Sequence, residues 1–147
     1  MPAEIDSVFI CDAASVREGL LHVLGGGITR LWRPVLPAPL AFQVAIFVQY
    51  SLPEFGVPHD ISVQFFDPQG NDFAGARGGF IPQDPGRLEE GEAMLLPMVF
   101  DFRAINVASY GHHSLKVSLG TAESEVTRDF WVLHPDELLI PPVRGLA

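Results

Sequence analysis

The sequence predicts an all-β fold, an antiparallel two-sheet immunoglobulin-like β-sandwich with one or two short helical turns. Three observations carry that expectation. Apolar residues recur at every second position in several stretches, and no stretch of ten residues shows the spacing of an amphipathic helix. Fourteen glycines and thirteen prolines punctuate the chain, and eleven phenylalanines suit pleated, packed surfaces. The roughly eight or nine strands that result fall at the spacing of a sandwich.

Taken in order, residues 7–11 (SVFIC) form a β-type run, and Asp12 is placed to cap one or two turns of helix through Ser15, ended by Gly19. Residues 20–24 and 28–32 flank Gly25, Gly26 and Gly27 and predict a hairpin, because a glycine run accepts the positive φ of a tight reversal. This stretch is the nucleus to which later strands add. Residues 34–39 (PVLPAP) hold three prolines, which rules out regular structure and predicts an extended crossing between sheets or along an edge.

Residues 40–50 give the clearest strand, with Leu40, Phe42, Val44, Ile46, Val48 and Tyr50 on one face. Ala41, Ala45 and Phe47 on the other face imply partial cover on both sides, as near the middle of a sheet. Residues 61–66 are a second strand, closed by Asp67-Pro68-Gln69-Gly70-Asn71 with turn chemistry. Residues 73–81 form another, in which Gly75, Gly78 and Gly79 suggest a bulge or a close backbone approach. Residues 83–91 are a polar loop. Met94, Leu96, Met98, Phe100 and Phe102 alternate next, and Pro97 puts this strand at an edge or a bulge. After a turn over 105–109, Leu115, Val117 and Leu119 face one way, and Val126, Phe130 and Val132 repeat the pattern across the Gly120–Thr121 turn, a closing hairpin. Tyr110 stands where a tyrosine corner would. The expected core is Phe9 or Ile10, Leu21, Val23, Phe42, Val44, Ile46, Val63, Phe65, Phe100, Leu115, Val117, Phe130 and Val132.

A chain of 147 residues is one ordinary domain, here residues 1–133, followed by an apolar, proline-rich tail at 134–147. In that tail Leu138, Leu139, Ile140, Pro141, Pro142 and Val143 require cover, and the prolines forbid a helix or central strand. The segment is expected to lie extended across a neighbouring chain as an arm, or else back on its own sandwich. The net charge is −9 with nine scattered basic residues, so neither a nucleic acid nor an anionic membrane is an expected partner. No apolar run approaches the roughly 20 residues of a membrane span, and no secretory leader is evident. The single cysteine, Cys11, cannot form an internal disulfide, in keeping with a cytoplasmic protein.

Asp6–Asp12 (DSVFICD), the run Glu18-Gly19-Leu20-Leu21-His22-Val23-Leu24-Gly25-Gly26-Gly27, the Arg33-Pro34 to Pro39 crossing, the 67–71 turn and Tyr110-Gly111 together resemble a family of small bacterial proteins of unknown function. The resemblance spans Ser7 to about Val132. It implies a small β-sandwich and supplies no catalytic residue.

Each candidate for chemistry has a plainer explanation. Gly25–Gly27 lacks the following helix and lysine of a phosphate cradle. His112 and His113 are adjacent, so on a strand they point to opposite faces and cannot chelate one ion, even with His59, Asp60 or His22 nearby. Cys11 lies in an apolar strand on the same face as Phe9, where burial suppresses thiol reactivity. Ser15, Ser51 and Ser109 belong to no nucleophile elbow, and Glu89, Glu90 and Glu92 to a solvated loop. No catalytic, cofactor-binding or metal-binding residue is therefore assigned, and no cofactor is expected. The favoured function is a non-enzymatic protein-interaction module, self-associating as a homodimer. The alternative is a small-ligand or carbohydrate-binding sandwich using Trp32, Tyr50, Phe47, Phe66 or Trp131 as an aromatic platform.

Overall fold

The computed structural model describes residues 3–120 and 124–136. Its strands are β1 (Glu4–Arg17), β2 (Leu20–Gly26), β3 (Arg30–Trp32), β4 (Ala38–Pro39), β5 (Gln43–Tyr50), β6 (His59–Phe66), β7 (Asp72–Phe80), β8 (Met94–Asp101), β9 (Asn106–Val107), β10 (Gly111–Leu119) and β11 (Ser124–Leu133). Helical content among the described residues is limited to 3-10 turns, at Leu52–Glu54 and at residues 135–136. None of their helices is long and apolar enough to cross a membrane.

Two main sheets result, in the orders β2-β1-β5-β8 and β3-β11-β10-β6-β7, with a small β4–β9 pair between segments. All pairings are antiparallel except that of β3 with β11. One of the sheets is curled into a half-barrel. Strong alternation explains why β6 and β10 form: Ile61, Val63 and Phe65, like Leu115, Val117 and Leu119, point into the core while their neighbours are only partly covered. β5 lies between β1 and β8 and is buried on both faces, as its second row of Ala45 and Phe47 requires. β8 is the edge strand that Pro97 predicts.

The core draws on both sheets, and its aromatic centre lies between them. Phe42, just before β5, meets Phe65 of β6 at 5.9 Å and Phe130 of β11 at 5.5 Å, and Phe102, just after β8, meets Phe65 edge-on at 4.6 Å. Gly75 of β7 is the close approach its position suggested: a Cβ there would lie 2.8 Å from the Val63 carbonyl oxygen. The 34–39 segment does cross from one sheet to the other, since it joins β3 to β5. Arg33 clamps it, donating to the carbonyls of Pro39 (2.9 Å), Leu40 (2.7 Å) and Trp32 (2.9 Å). The Tyr110 hydroxyl donates to the Arg33 carbonyl at 2.7 Å, so this tyrosine holds the distant crossing rather than a local corner.

Three expectations are corrected. Residues 12–15 are strand, not helix, because they continue β1 against β2. The glycine run is not the hairpin turn: β2 reverses onto β1 through Glu18 (φ 55°) and Gly19 (φ 74°), and β3 belongs to the other sheet. Two consecutive positive φ values make the primed turn that matches strand twist. Gly25 (φ 61°) and Gly27 (φ 92°) do take left-handed conformations, but to carry the chain between sheets, with Gly27 N–H donating to the Ile10 carbonyl at 2.9 Å. Finally, Val23 is exposed and Leu21 only half-buried, because β2 lies outside the packed body. Ile10, not Phe9, is the core residue of β1. Thr121 of the closing turn and the apolar segment at 138–143 lie outside the described residues.

Candidate functional site

The most unusual surface is built by β1 and β2. The β1–β5 ladder ends at the pair Cys11–Gln43, whereas the β1–β2 ladder runs on to Arg17–Leu20. Residues 12–25 therefore form a two-stranded ribbon beyond the last β5 rung. Such a ribbon is marginal in water by itself, and this one is tied back where Ala14 N–H donates to Gln43 Oε1 at 2.7 Å. Pairing across the ribbon puts Ala14, Val16, Leu21 and Val23 on one face and Ala13, Ser15, Arg17, Leu20, His22 and Leu24 on the other. Leu20 is 63% and Leu24 72% exposed, and Val16 and Val23 are exposed as well. Among the described residues no strand pairs with the outer edge of β2.

A second surface lies on the outer face of the five-stranded sheet. The register sets Trp131 beside Arg30 and His112, and Ser114 beside Asp129 and Phe66. Two of the five candidate aromatics, Trp131 and Phe66, thus share one face. Trp131 is 42% exposed and lies 5.0 Å from the His112 ring, which is 2.8 Å from Asp129 Oδ1. Trp32 and Phe47 are half-buried, and Tyr50 is buried against Phe55 at 5.8 Å.

Tyr50 also lines a cavity of about 290 Å³ with Glu4, Leu52, Pro53, Glu92 and Ala93. Burial raises the Tyr50 pKa, keeping the hydroxyl protonated. Its described lining carries two carboxylates and, among the described residues, no cation, cysteine or histidine.

The remaining candidates are dispersed. Cys11 is fully buried, its Sγ 3.4 Å from the Gln43 carbonyl oxygen, and burial together with Asp12 raises the thiol pKa. Phe9, on the same face, is 39% exposed, so the cysteine is covered by its own surroundings rather than by an apolar face as a whole. His112 and His113 point to opposite faces as adjacent strand residues must: His112 is exposed and His113 is 1% exposed. His113 stacks on Phe130 at 5.3 Å, and burial lowers its pKa, opposed by the Gly111 carbonyl. His59 sits 2.9 Å from Glu54, and His22 is on the ribbon. No group of three metal-ligating side chains occurs among the described residues. Gly25–Gly27 leads into β3, a strand rather than a helix. Ser15 is on β1, Ser51 precedes the 3-10 turn, and Glu89 and Glu92 bond to each other within their loop. Sequence reasoning treated Leu21 and Val23 as core and passed over Leu20 and Leu24. The available signal was that residues 20–24 are apolar at four of five positions, more than a one-sided strand needs.

The chain is thus an all-β protein of two main, largely antiparallel sheets. It belongs to DUF6941, a family of unknown function, whose sequence profile matches residues 6–128. No curated protein and no solved structure matches it.

Proposed function

We propose that this protein is a non-enzymatic interaction module whose binding surface is the β1–β2 ribbon. One observation carries the reading: a two-stranded extension with exposed Val16, Leu20, Val23 and Leu24 has an open strand edge. Exposed apolar side chains on both faces of a ribbon are the signature of a surface that another molecule covers. The core is elsewhere and complete without it, so folding alone does not account for these residues. A cytoplasmic setting fits the lone, buried thiol. The immunoglobulin-like sandwich belongs to the same proposal, supported by the Phe42, Phe65 and Phe130 contacts between sheets and opposed by the parallel β3–β11 pair.

The test compares quantitative affinity capture from native cells by the wild type and by a Leu20→Ser/Leu24→Ser variant. Both side chains are largely exposed, so the variant keeps its fold. Proteins captured by the wild type and lost with the variant support the reading; identical captures refute it.

A second reading has its own observation, that exposed Trp131 and half-buried Phe66 share the outer sheet face with Arg30, His112 and Asp129. An aromatic platform rimmed by polar groups suits a carbohydrate or other small ligand. Glycan-array screening of wild type and Trp131→Ala decides it, since binding lost in the variant is required.

A further inference from the structure

The free edge of the ribbon is complementary to itself. β2 begins Leu20-Leu21-His22-Val23-Leu24, whose arrangement of apolar residues around one polar residue is symmetric about His22. We infer that the occupant of this edge is a second copy of the chain, paired antiparallel to it around a two-fold axis at His22. The inference rests on the ribbon being a binding surface and adds the identity of what binds.

In that register Leu20 of one copy faces Leu24 of the other, Leu21 faces Val23, and His22 faces its own counterpart. Opposed residues then have the same parity, so the backbone groups that point away from β1 in each copy meet one another. A slip that centres the seam on Leu21 or Val23 sets His22 against Leu20 or Leu24 and shortens the apolar match. The two four-stranded sheets join as one of eight, isologous as a two-fold contact must be.

The other edges show why the seam forms here. Edge strands are protected from pairing by proline, charge or shortness. β8 carries Pro97, β7 carries Asp72 and Arg77, and β3 spans only Arg30–Trp32. β2 has none of these: from Leu20 to Gly26 there is no proline, aspartate, glutamate, lysine or arginine. In a chain of net charge −9, this is also where two copies meet with least repulsion. A seam of five residues per copy is smaller than the ~800 Å² per partner of a stable complex, so the dimer is weak, with a Kd of about 10–100 μM.

The test uses the full chain in sedimentation velocity from about 1 to 500 μM, spanning that affinity. The wild type should pass from monomer to dimer, and Leu24→Lys should weaken the dimer by at least about tenfold, because it sets a lysine against Leu20 of the other copy and removes an apolar contact at each end of the seam. Leu20→Glu with Leu24→Lys should restore it, because each new charge then faces its opposite across the axis. Independently, His22→Cys should form a disulfide-linked dimer on oxidation, since cross-strand Cα separations of about 4.5–5.5 Å suit a disulfide. Val35→Cys, 70% exposed and in the crossing between β3 and β4 rather than on β2, should not, and Cys11 is too buried to interfere. A monomer throughout the range, a dimer indifferent to Leu24→Lys, or His22→Cys cross-linking no faster than Val35→Cys overturns the inference. If those results coincide with capture that remains sensitive to Leu20→Ser/Leu24→Ser, only the second copy is removed and the ribbon keeps its role; if that sensitivity is absent too, both readings fall.

Discussion

Acidification should destabilise this protein through His113, and the size of the effect follows from its surroundings. The ring lies between Phe130, stacked at 5.3 Å, and Phe73, edge-on at 5.8 Å. Nδ1 is 3.0 Å from the Gly111 carbonyl oxygen, which can only accept, so Nδ1 carries the proton of the neutral ring. Nε2 is buried without a hydrogen-bond partner among the described residues, and a second proton would place a charge there. Desolvation therefore holds the folded-state pKa below its ordinary value, with the Gly111 carbonyl and Asp67 opposing and His112 adding slightly. A depressed histidine pKa means that the unfolded chain binds the extra proton first. Stability is then fully present above the unfolded pKa of about 6.5 and is lost as pH falls below it toward the folded pKa, at up to ~1.4 kcal/mol per pH unit. Urea denaturation of wild type and His113→Leu from pH 8 down to about pH 5 measures this. The variant lacks this dependence, so the wild-type curve should fall more steeply below about pH 6.5 and run parallel to it above about pH 7.5. Parallel curves over the whole range would refute the argument.

Other outcomes follow from the same geometry. Cys11 should react slowly with a thiol reagent in the native state and rapidly in denaturant, because it is fully buried; equal rates would contradict that. Tyr110→Phe should cost about 0.5–1.5 kcal/mol in urea denaturation by removing the 2.7 Å bond to the Arg33 carbonyl, and an unchanged midpoint would show that the crossing does not need it. Gly75→Ala should cost about 1–3 kcal/mol, since its Cβ would meet a backbone oxygen that cannot easily yield.

Alternation made most of the body legible. β5, β6, β10 and β11 each carry a buried row at period two, and the turn at 67–71 announces itself by Pro68 and Gly70. The ribbon was not legible for physical reasons. Residues 20–24 are apolar on both faces, so no period tells an inward side from an outward one. Glu18-Gly19 is a less marked turn than three successive glycines, which drew the reversal to the wrong place although Gly25 and Gly27 do take positive φ. In β1 the register shifts between Ile5 and Ser7, which helps explain why Ile10 rather than Phe9 ends in the core. The pairing of β3 with β11 joins residues about a hundred positions apart, beyond the reach of any local pattern.

Amide hydrogen exchange along β2, followed as the full chain is concentrated, tests most directly whether the ribbon is a surface that becomes covered. Its outward amides are open to water in the isolated chain and bonded in the paired one. Exchange over residues 20–24 should slow progressively between about 1 and 500 μM, the range expected for a weak strand seam, while the proline-, charge- and length-protected edges β8, β7 and β3 keep their rates. Exchange in β2 that is the same at every concentration would contradict the self-pairing of the ribbon.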